Sequence, residues 1–214
     1  CNLKNNFSCC VASDSTLYVG CVDIPHDGSL IYIIDLATLS AKKIEFSHFG
    51  DITCLKLYNN TLYSAGVDGL VCEYDADLEV GRVFNGEASI NDFVMNESSA
   101  IILTDIHTVV SVDCENGKSV KYGRPSDDLF GVCCLETRKG VKVLFTNADG
   151  ALSSFKLSTR NLKADGTSEV HSSFVECAVM ADNVDVITVD DQLNMRMAPY
   201  RKLFEKHKSA PMDD

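Results

Sequence analysis

The sequence predicts an all-β fold of about five repeated units, each built from four short antiparallel strands. Residues 47–84 contain four strand-length segments separated by turn signals, which is the order expected of one propeller blade. Comparable segments recur along the chain, and the second hairpin of each unit returns after 38 to 43 residues. This period is typical of β-propeller repeats of about 40–45 residues.

Residues 47–84 form the clearest unit. Ile52–Leu57 largely alternates apolar and polar residues, as a half-buried strand does. Asp68-Gly69 is a strong two-residue hairpin signal. Three further strands are predicted over Thr61–Ala65, Leu70–Tyr74 and Val80–Phe84.

This unit has His48 before its first strand, Ser64 late in the second, Asp68 in the second hairpin and Tyr74-Asp75 at the end of the third. These positions resemble the WD-repeat family, which has a His, a Ser or Thr, an Asp and Trp-Asp at the same places, so that Tyr here takes the place of Trp. In the family these side chains form a hydrogen-bond network. The resemblance implies that the four residues are structural, since buried polar groups require partners.

The other units keep the strand rhythm and are expected to lack most of this network. They are predicted over residues 8–46, 85–122, 129–163 and 174–207, within one propeller of residues 1–207 and a short tail, 208–214. The fourth unit is expected to end in a short strand near Leu162, with a loop over residues 164–173. Residues 200–204 are predicted to be either a fourth strand or a helical turn.

Five blades are fewer than the seven usual in the family, so three arrangements remain open. The ring closes with five blades, further blades lie upstream of Cys1, or the ring is open and completed by strands of a partner. Unpaired edge strands at an opening favour such pairing. The sequence starts with Cys rather than Met, which indicates processing or a longer parent chain.

Composition restricts the partners and the compartment. The net charge of −12 and the pI near 4.7 disfavour nucleic acid or an anionic membrane as the main partner and are compatible with a basic peptide or protein. No apolar run approaches the ~20 residues of a membrane span. Most of the ten cysteines lie in predicted strands, where a thiol behaves as a small buried hydrophobe. We therefore predict reduced cysteines and a cytoplasmic or nuclear protein.

One face of the propeller is predicted to bind partners. In the family, the loops before each blade and the second hairpins share a face that commonly does so, and the corresponding residues here are acidic with exposed aromatics. The candidates are Asp23, His26, Phe49, Asp51, Arg124, Asp127, Asp128, Phe130 and Asp191. Asp27 and Asp190 map to the same face but are interpreted as turn residues. His107 is interpreted as a solvated loop histidine.

The predicted function is a non-enzymatic protein–protein interaction scaffold, a subunit of a multiprotein assembly. The sequence contains no nucleophile elbow, phosphate-binding loop or metalloprotease motif, and its five scattered histidines have no metal-ligand spacing. No cofactor or metal is expected. One alternative is a propeller hydrolase with carboxylates such as Asp127-Asp128 and Asp190-Asp191 at the central channel. Another is a secreted, disulfide-bonded β-repeat binding protein.

Overall fold

The fold is a succession of five antiparallel sheets in which neighbouring strands are also consecutive in sequence. The computed structural model describes residues 6–23, 28–45, 48–125, 128–137, 140–158, 161–182 and 184–204. The chain divides into two compact units, residues 1–130 and 131–214. The predicted all-β architecture with about five repeated sheets is confirmed.

The first compact unit contains three four-stranded sheets. The first sheet consists of β1 (Asn6–Ala12), β2 (Thr16–Asp23), β3 (Gly28–Asp35) and β4 (Ala41–Glu45). The second consists of β5 (Ile52–Tyr58), β6 (Thr61–Gly66), β7 (Leu70–Tyr74) and β8 (Val80–Asn85). The third consists of β9 (Ile90–Met95), β10 (Ser99–Thr104), β11 (Val109–Asp113) and β12 (Ser119–Gly123).

The second compact unit contains most of the fourth sheet, the fifth sheet and a short helix. The fourth sheet consists of β13 (Leu129–Thr137), which begins in the first unit, β14 (Gly140–Asn147), β15 (Ala151–Leu157) and β16 (Leu162–Glu169). The fifth consists of β17 (Val175–Ala181), β18 (Asp185–Asp190) and β19 (Met195–Pro199), followed by helix α1 (Tyr200–Phe204). No described helix is long and apolar enough to cross a membrane.

Tight turns connect the strands where the sequence supplies residues that tolerate a positive φ. Asn59 and Asn60 have φ values of 49° and 61°, which suit the two central positions of a type I′ hairpin between β5 and β6. Gly69 has a φ of 80° at the hairpin between β6 and β7. Local turn chemistry therefore fixes the lengths of these strands.

Side chains from successive sheets of the first unit form its core. One cluster joins Tyr63, Ala65, Val71 and Phe84 of the second sheet to seven buried residues of the third. On the opposite face of the second sheet, Cys72 and Tyr74 pack with Ile31 of the first sheet. The second sheet is therefore covered by apolar contacts on both faces, and its buried polar side chains need partners within the protein.

The structure corrects the predicted extent of β16 and decides between the two alternatives for residues 200–204. The expected loop over residues 164–173 is wrong for its first half, because β16 continues to Glu169 and pairs with β15 as far as Ala151. Residues 200–204 adopt the helical alternative. The fifth sheet consequently has three strands among the described residues, whereas each of the other four has four.

Candidate interaction surface and its buried anchors

A chain of hydrogen bonds crosses the second sheet through His48. Its Nδ1 lies 3.0 Å and 3.1 Å from the two carboxylate oxygens of Asp68, and its Nε2 lies 2.6 Å from Oγ of Ser64. The Ser64 hydroxyl is also 2.9 Å from the hydroxyl of Tyr74. His48, Ser64 and Tyr74 are at most 3% exposed. The four residues that the family resemblance singled out thus form one connected network in which Tyr74 supplies the last member.

This network holds the loop before β5 against the hairpin between β6 and β7. Asp68 accepts hydrogen bonds from the backbone N–H groups of Phe49, at 3.0 Å, and Leu70, at 3.1 Å. The N–H of His48 donates to the Ser29 hydroxyl at 2.8 Å, and that hydroxyl is 3.2 Å from the carbonyl of His48. The side chains that these loops present are therefore carried on a rigid backbone.

The fifth sheet contains a second network of the same kind, which the sequence interpretation missed. The Nδ1 of His171 lies 3.2 Å from Oδ2 of Asp190, and its Nε2 lies 2.8 Å from the hydroxyl of Thr188. All three residues are at most 7% exposed. A signal was present, because His171 precedes Asp190 by nearly the separation of His48 and Asp68.

Asp190 is a turn residue, as the sequence predicts, and it also belongs to this buried network. Its carboxylate accepts hydrogen bonds from the N–H groups of Gln192 and Asn194 and from the Asn194 side chain. Burial raises the pKa of Asp190, but these hydrogen bonds and one from Ser173 outweigh burial and lower the pKa to about 2. A carboxyl with such a low pKa is a poor general acid at neutral pH, so this group does not favour the hydrolase alternative.

The predicted partner-binding residues differ in exposure. Phe49 is 87% exposed, and Asp51, Arg124, Asp128 and Asp191 are exposed as well. Phe130 is only partly exposed, because its ring packs edge-on against His107 at 6.0 Å. For Asp23 only the backbone is described, and His26 and Asp127 lie outside the described residues.

Sequence reasoning missed two exposed apolar residues at the ends of the second and third sheets that correspond to the position of Phe49. The antiparallel order of the second sheet puts the loop before β5 and the β6–β7 hairpin at one end, where Val67 donates its N–H to the carbonyl of Asp51 at 3.0 Å. Gly69 touches Ala88, next to the corresponding end of the third sheet, where Ile106 lies. Val67 is 43% exposed and Ile106 55%. We call Phe49, Asp51, Val67 and Ile106 the loop-end surface.

His107 is not the solvated loop histidine that the sequence suggested. Its Nδ1 lies 2.9 Å from the carbonyl oxygen of Leu129 and 3.2 Å from the Leu129 nitrogen. The residue has a φ of 58° and is partly buried. It therefore ties the β10–β11 hairpin to the first residue of β13.

A polar cluster fixes helix α1 on the fourth sheet within the second unit. The ammonium of Lys142 lies 2.8 Å from both the Tyr200 hydroxyl and a carboxylate oxygen of Asp165. Lys156 contacts the other Asp165 oxygen at 2.7 Å. The two lysines lower the pKa of Asp165. Because Tyr200 is 7% exposed and stacks on Phe204, the cluster has the character of a structural anchor.

The cysteines lack the features of a metal or disulfide framework within the described parts of the chain. The nine described cysteines form no disulfide, and the described residues contain no group of three potential metal ligands. Burial raises the pKa of Cys21 and Cys72 to about 11 and that of Cys134 to about 12. Such thiols stay protonated and are weak nucleophiles at neutral pH.

Comparisons with known proteins show what the fold resembles. No protein-family model and no curated protein matches the sequence. Among solved structures, the β-propeller domain of Cps50 (Swd1) from Myceliophteria thermophila matches with a TM-score of 0.68 at 17% identity, covering 98% of this chain and 72% of that one. The match confirms the β-propeller fold that the sequence predicts.

Proposed function

We propose that this chain is a non-enzymatic protein–protein interaction scaffold and a subunit of a multiprotein assembly in the cytoplasm or nucleus. The observation that carries the proposal is the loop-end surface, where Phe49 exposes 87% of its area and Val67 and Ile106 are also exposed. Clustered exposed apolar residues with a polar rim are typical of protein interaction sites. A buried network supports Phe49, because its backbone N–H donates to Asp68.

The partner that best fits this surface is a basic or mixed-charge protein segment. Exposed carboxylates of Asp51, Glu87, Asp105 and Asp128 lie in the loops of the first unit, and the whole chain carries a net charge of −12. Complementary charge accelerates association and disfavours acidic competitors. Direct contact with nucleic acid is disfavoured for the same reason. A partner that completes an open ring remains part of the proposal.

The test is affinity purification of the full-length protein from its native source with cross-linking and mass spectrometry. Three forms are compared: wild type, Phe49→Ser and Leu39→Ser. Leu39 is a matched control, since it is 62% exposed but lies in the β3–β4 turn, at the opposite end of its sheet. We expect cross-links at the loop-end surface and loss of the partner only in Phe49→Ser.

Two results would contradict the proposal in different ways. Recovery of wild-type protein alone at its own mass would remove the assembly role. Equal recovery of a partner by all three forms would keep the assembly role and exclude Phe49 as a contact. An Asp51→Lys, Asp105→Lys double variant tests the charge preference. It should weaken the binding of a basic partner and leave the melting temperature near that of the wild type.

A further inference from the structure

The outer edge of the fifth sheet is open in the described part of the chain. Each of the other four sheets has a fourth strand hydrogen-bonded to its third, namely β4, β8, β12 and β16. In the fifth sheet β19 pairs with β18 on one side, and no described strand pairs with its other side. An uncovered edge presents unpaired backbone groups and is a template for an added strand.

The hydrogen bonds at the two ends of the β18–β19 ladder show which backbone groups face this open edge. The N–H of Asp190 donates to the carbonyl of Asn194, and the N–H of Tyr200 donates to the carbonyl of Val184. In an antiparallel ladder the hydrogen-bonded residues alternate. The intervening residues Arg196 and Ala198 therefore direct their N–H and C=O groups toward β18, and Met195 and Met197 direct theirs toward the open edge.

The open edge is also apolar. Leu193 is 84% exposed, Met195 72% and Met197 67%. Native edge strands are normally protected by charges, proline or a covering segment. Pro199 has no N–H group and therefore ends the edge that can pair. The outward N–H groups of Met195 and Met197 lie before it and can still pair.

A cavity of about 320 Å³ lies beside this edge, lined by Glu169, Val170, Val186, Thr188, Arg196, Met197, Ala198 and Leu203. Strand register explains why it is there. Ser64 pairs with Cys72, and Tyr74 follows two residues later; Thr188 pairs with Arg196, and Ala198 follows two residues later. Ala198 therefore has the place in the fifth sheet that Tyr74 has in the second, and its methyl group leaves the space next to Thr188 unfilled.

We propose that an extended segment of a partner protein pairs with β19 and places an aromatic side chain in this cavity, an inference that rests on the scaffold function proposed above. The aromatic ring takes the place that Tyr74 fills in the second sheet. It reaches the Thr188 hydroxyl as Tyr74 reaches Ser64, and it packs under the exposed guanidinium of Arg196. Backbone pairing supplies affinity and the cavity supplies specificity.

The chain's own outer strands indicate the chemistry of that segment. Each of them carries a lysine or arginine: Lys42 and Lys43, Arg82, Lys121, and Lys163. In β8 the residues opposite Cys72 and Tyr74 are Val83 and Val80, so an outer strand directs apolar side chains to the face that holds the cavity in the fifth sheet. By analogy with these outer strands, the segment that fits is extended, apolar at alternate positions, and carries a lysine or arginine.

Amide hydrogen exchange of the full-length protein, followed by NMR, tests the geometry first. Without peptide, the N–H groups of Met195 and Met197 should exchange at least about tenfold faster than those of Arg196 and Ala198, since only the latter pair with β18. Protection of Met195 and Met197 in the protein alone would overturn the proposal. Protection that does not change with protein concentration would mean that another segment of this chain covers the edge. Protection that increases with protein concentration would mean that a second copy covers it.

Two synthetic peptides then serve as probes. One has the sequence of residues 78–87, which includes β8, and the other carries Val83→Tyr. The tyrosine peptide should protect Met195 and Met197 and bind about tenfold more tightly than its parent, because the cavity accepts the ring. Absence of protection at millimolar concentration of either peptide would overturn the proposal, and equal affinity of the two would exclude the cavity as the specificity pocket.

Two protein variants separate backbone pairing from cavity filling. Met197→Pro removes one outward N–H and no hydrogen bond to β18, and Met197→Val is its control because it keeps that N–H. Ala198→Tyr fills the cavity from within, so it should remove the advantage of the tyrosine peptide. Peptide binding to Met197→Pro as tight as to Met197→Val would overturn the strand-pairing geometry. If the protein binds neither peptide but its partner complex stays intact, this inference is contradicted and the proposed scaffold function is not.

Discussion

His48 and Asp68 form a buried pair in which Nδ1 of the histidine lies 3.0 Å and 3.1 Å from the two carboxylate oxygens. The pair joins the loop before β5 to the β6–β7 hairpin. Water has little access to the pair, since the His48 side chain is fully buried and that of Asp68 is 9% exposed. We therefore expect this bond to stabilise the packing of the loop before β5 against the β6–β7 hairpin.

Removing either partner should destabilise the protein. His48→Ala or Asp68→Ala removes the bond between them and leaves the facing polar atom of the other residue without this partner, which should lower the free energy of unfolding by about 1–3 kcal/mol. Urea denaturation followed by circular dichroism measures the change. Asp77→Ala is the control, because Asp77 is exposed and its loss should change little. Unchanged stability of both network variants would show that the pair carries no folding energy.

The hydroxyl of Tyr74 should contribute a smaller amount. Tyr74→Phe keeps the ring and removes the hydroxyl with its 2.9 Å hydrogen bond to Ser64, so we expect a loss of about 1 kcal/mol. A double-mutant cycle with Ser64→Ala measures the coupling between the two hydroxyls. Additive losses in the double variant would mean that the two residues act independently.

The sequence predicted those parts of the fold that depend on local chemistry. The bounds of β7 match the predicted segment Leu70–Tyr74, because alternation and turn residues on both sides define it. The β16 strand was missed beyond its first residues because its sequence is polar and its residues are mostly exposed. Pairing with β15, for example of Ser154 with Gly166, makes it a strand, and that pairing is tertiary information.

The candidate site was predictable to a similar extent. Phe49 and Asp51 were identified from their place before β5, and both are exposed. The pair of His171 and Asp190 was not recognised, because the third strand of that sheet carries Ala198 in place of the aromatic residue that completes the pattern. Ala198 also lines the cavity beside β19. A break in a repeat pattern can thus mark a functional difference between units.

Gly69 should tolerate alanine less well than Gly117. Both have a positive φ, 80° and 70°, so alanine is strained at both by about 1 kcal/mol. At Gly69 an added Cβ would also lie 2.9 Å from the carbonyl oxygen of Ala88, whereas nothing lies within 4 Å at Gly117. Thermal unfolding should show a larger decrease for Gly69→Ala. Equal decreases would mean that the backbone of the loop containing Ala88 adjusts without cost.

Asp190 should make stability fall as the solution becomes acidic. Its pKa in the folded protein is about 2, below the ordinary value of about 3.9 in an unfolded chain. The unfolded state therefore binds the proton first, so the contribution is present above about pH 4 and is lost as the pH falls toward 2. Unfolding titrations between pH 5 and 2 should show a weaker pH dependence for Asp190→Asn than for wild type. Asp191→Asn, at an exposed neighbour, should follow the wild-type curve; if both variants do so, the carboxylate of Asp190 is not the titrating group.

Thiol modification should separate the exposed cysteines from the buried ones. Cys10 and Cys177 are exposed, whereas Cys21 and Cys72 are buried, with burial raising the pKa of each of the latter two to about 11. Reaction requires both access and the thiolate form. Iodoacetamide at neutral pH, followed by peptide mass spectrometry, should therefore label Cys10 and Cys177 in the native protein and reach Cys21 and Cys72 only after denaturation. Labelling of Cys21 and Cys72 at the rate of Cys10 under native conditions would show that the sheets open readily, and failure of Cys21 and Cys72 to react after denaturation without reductant would indicate disulfides and restore the secreted alternative.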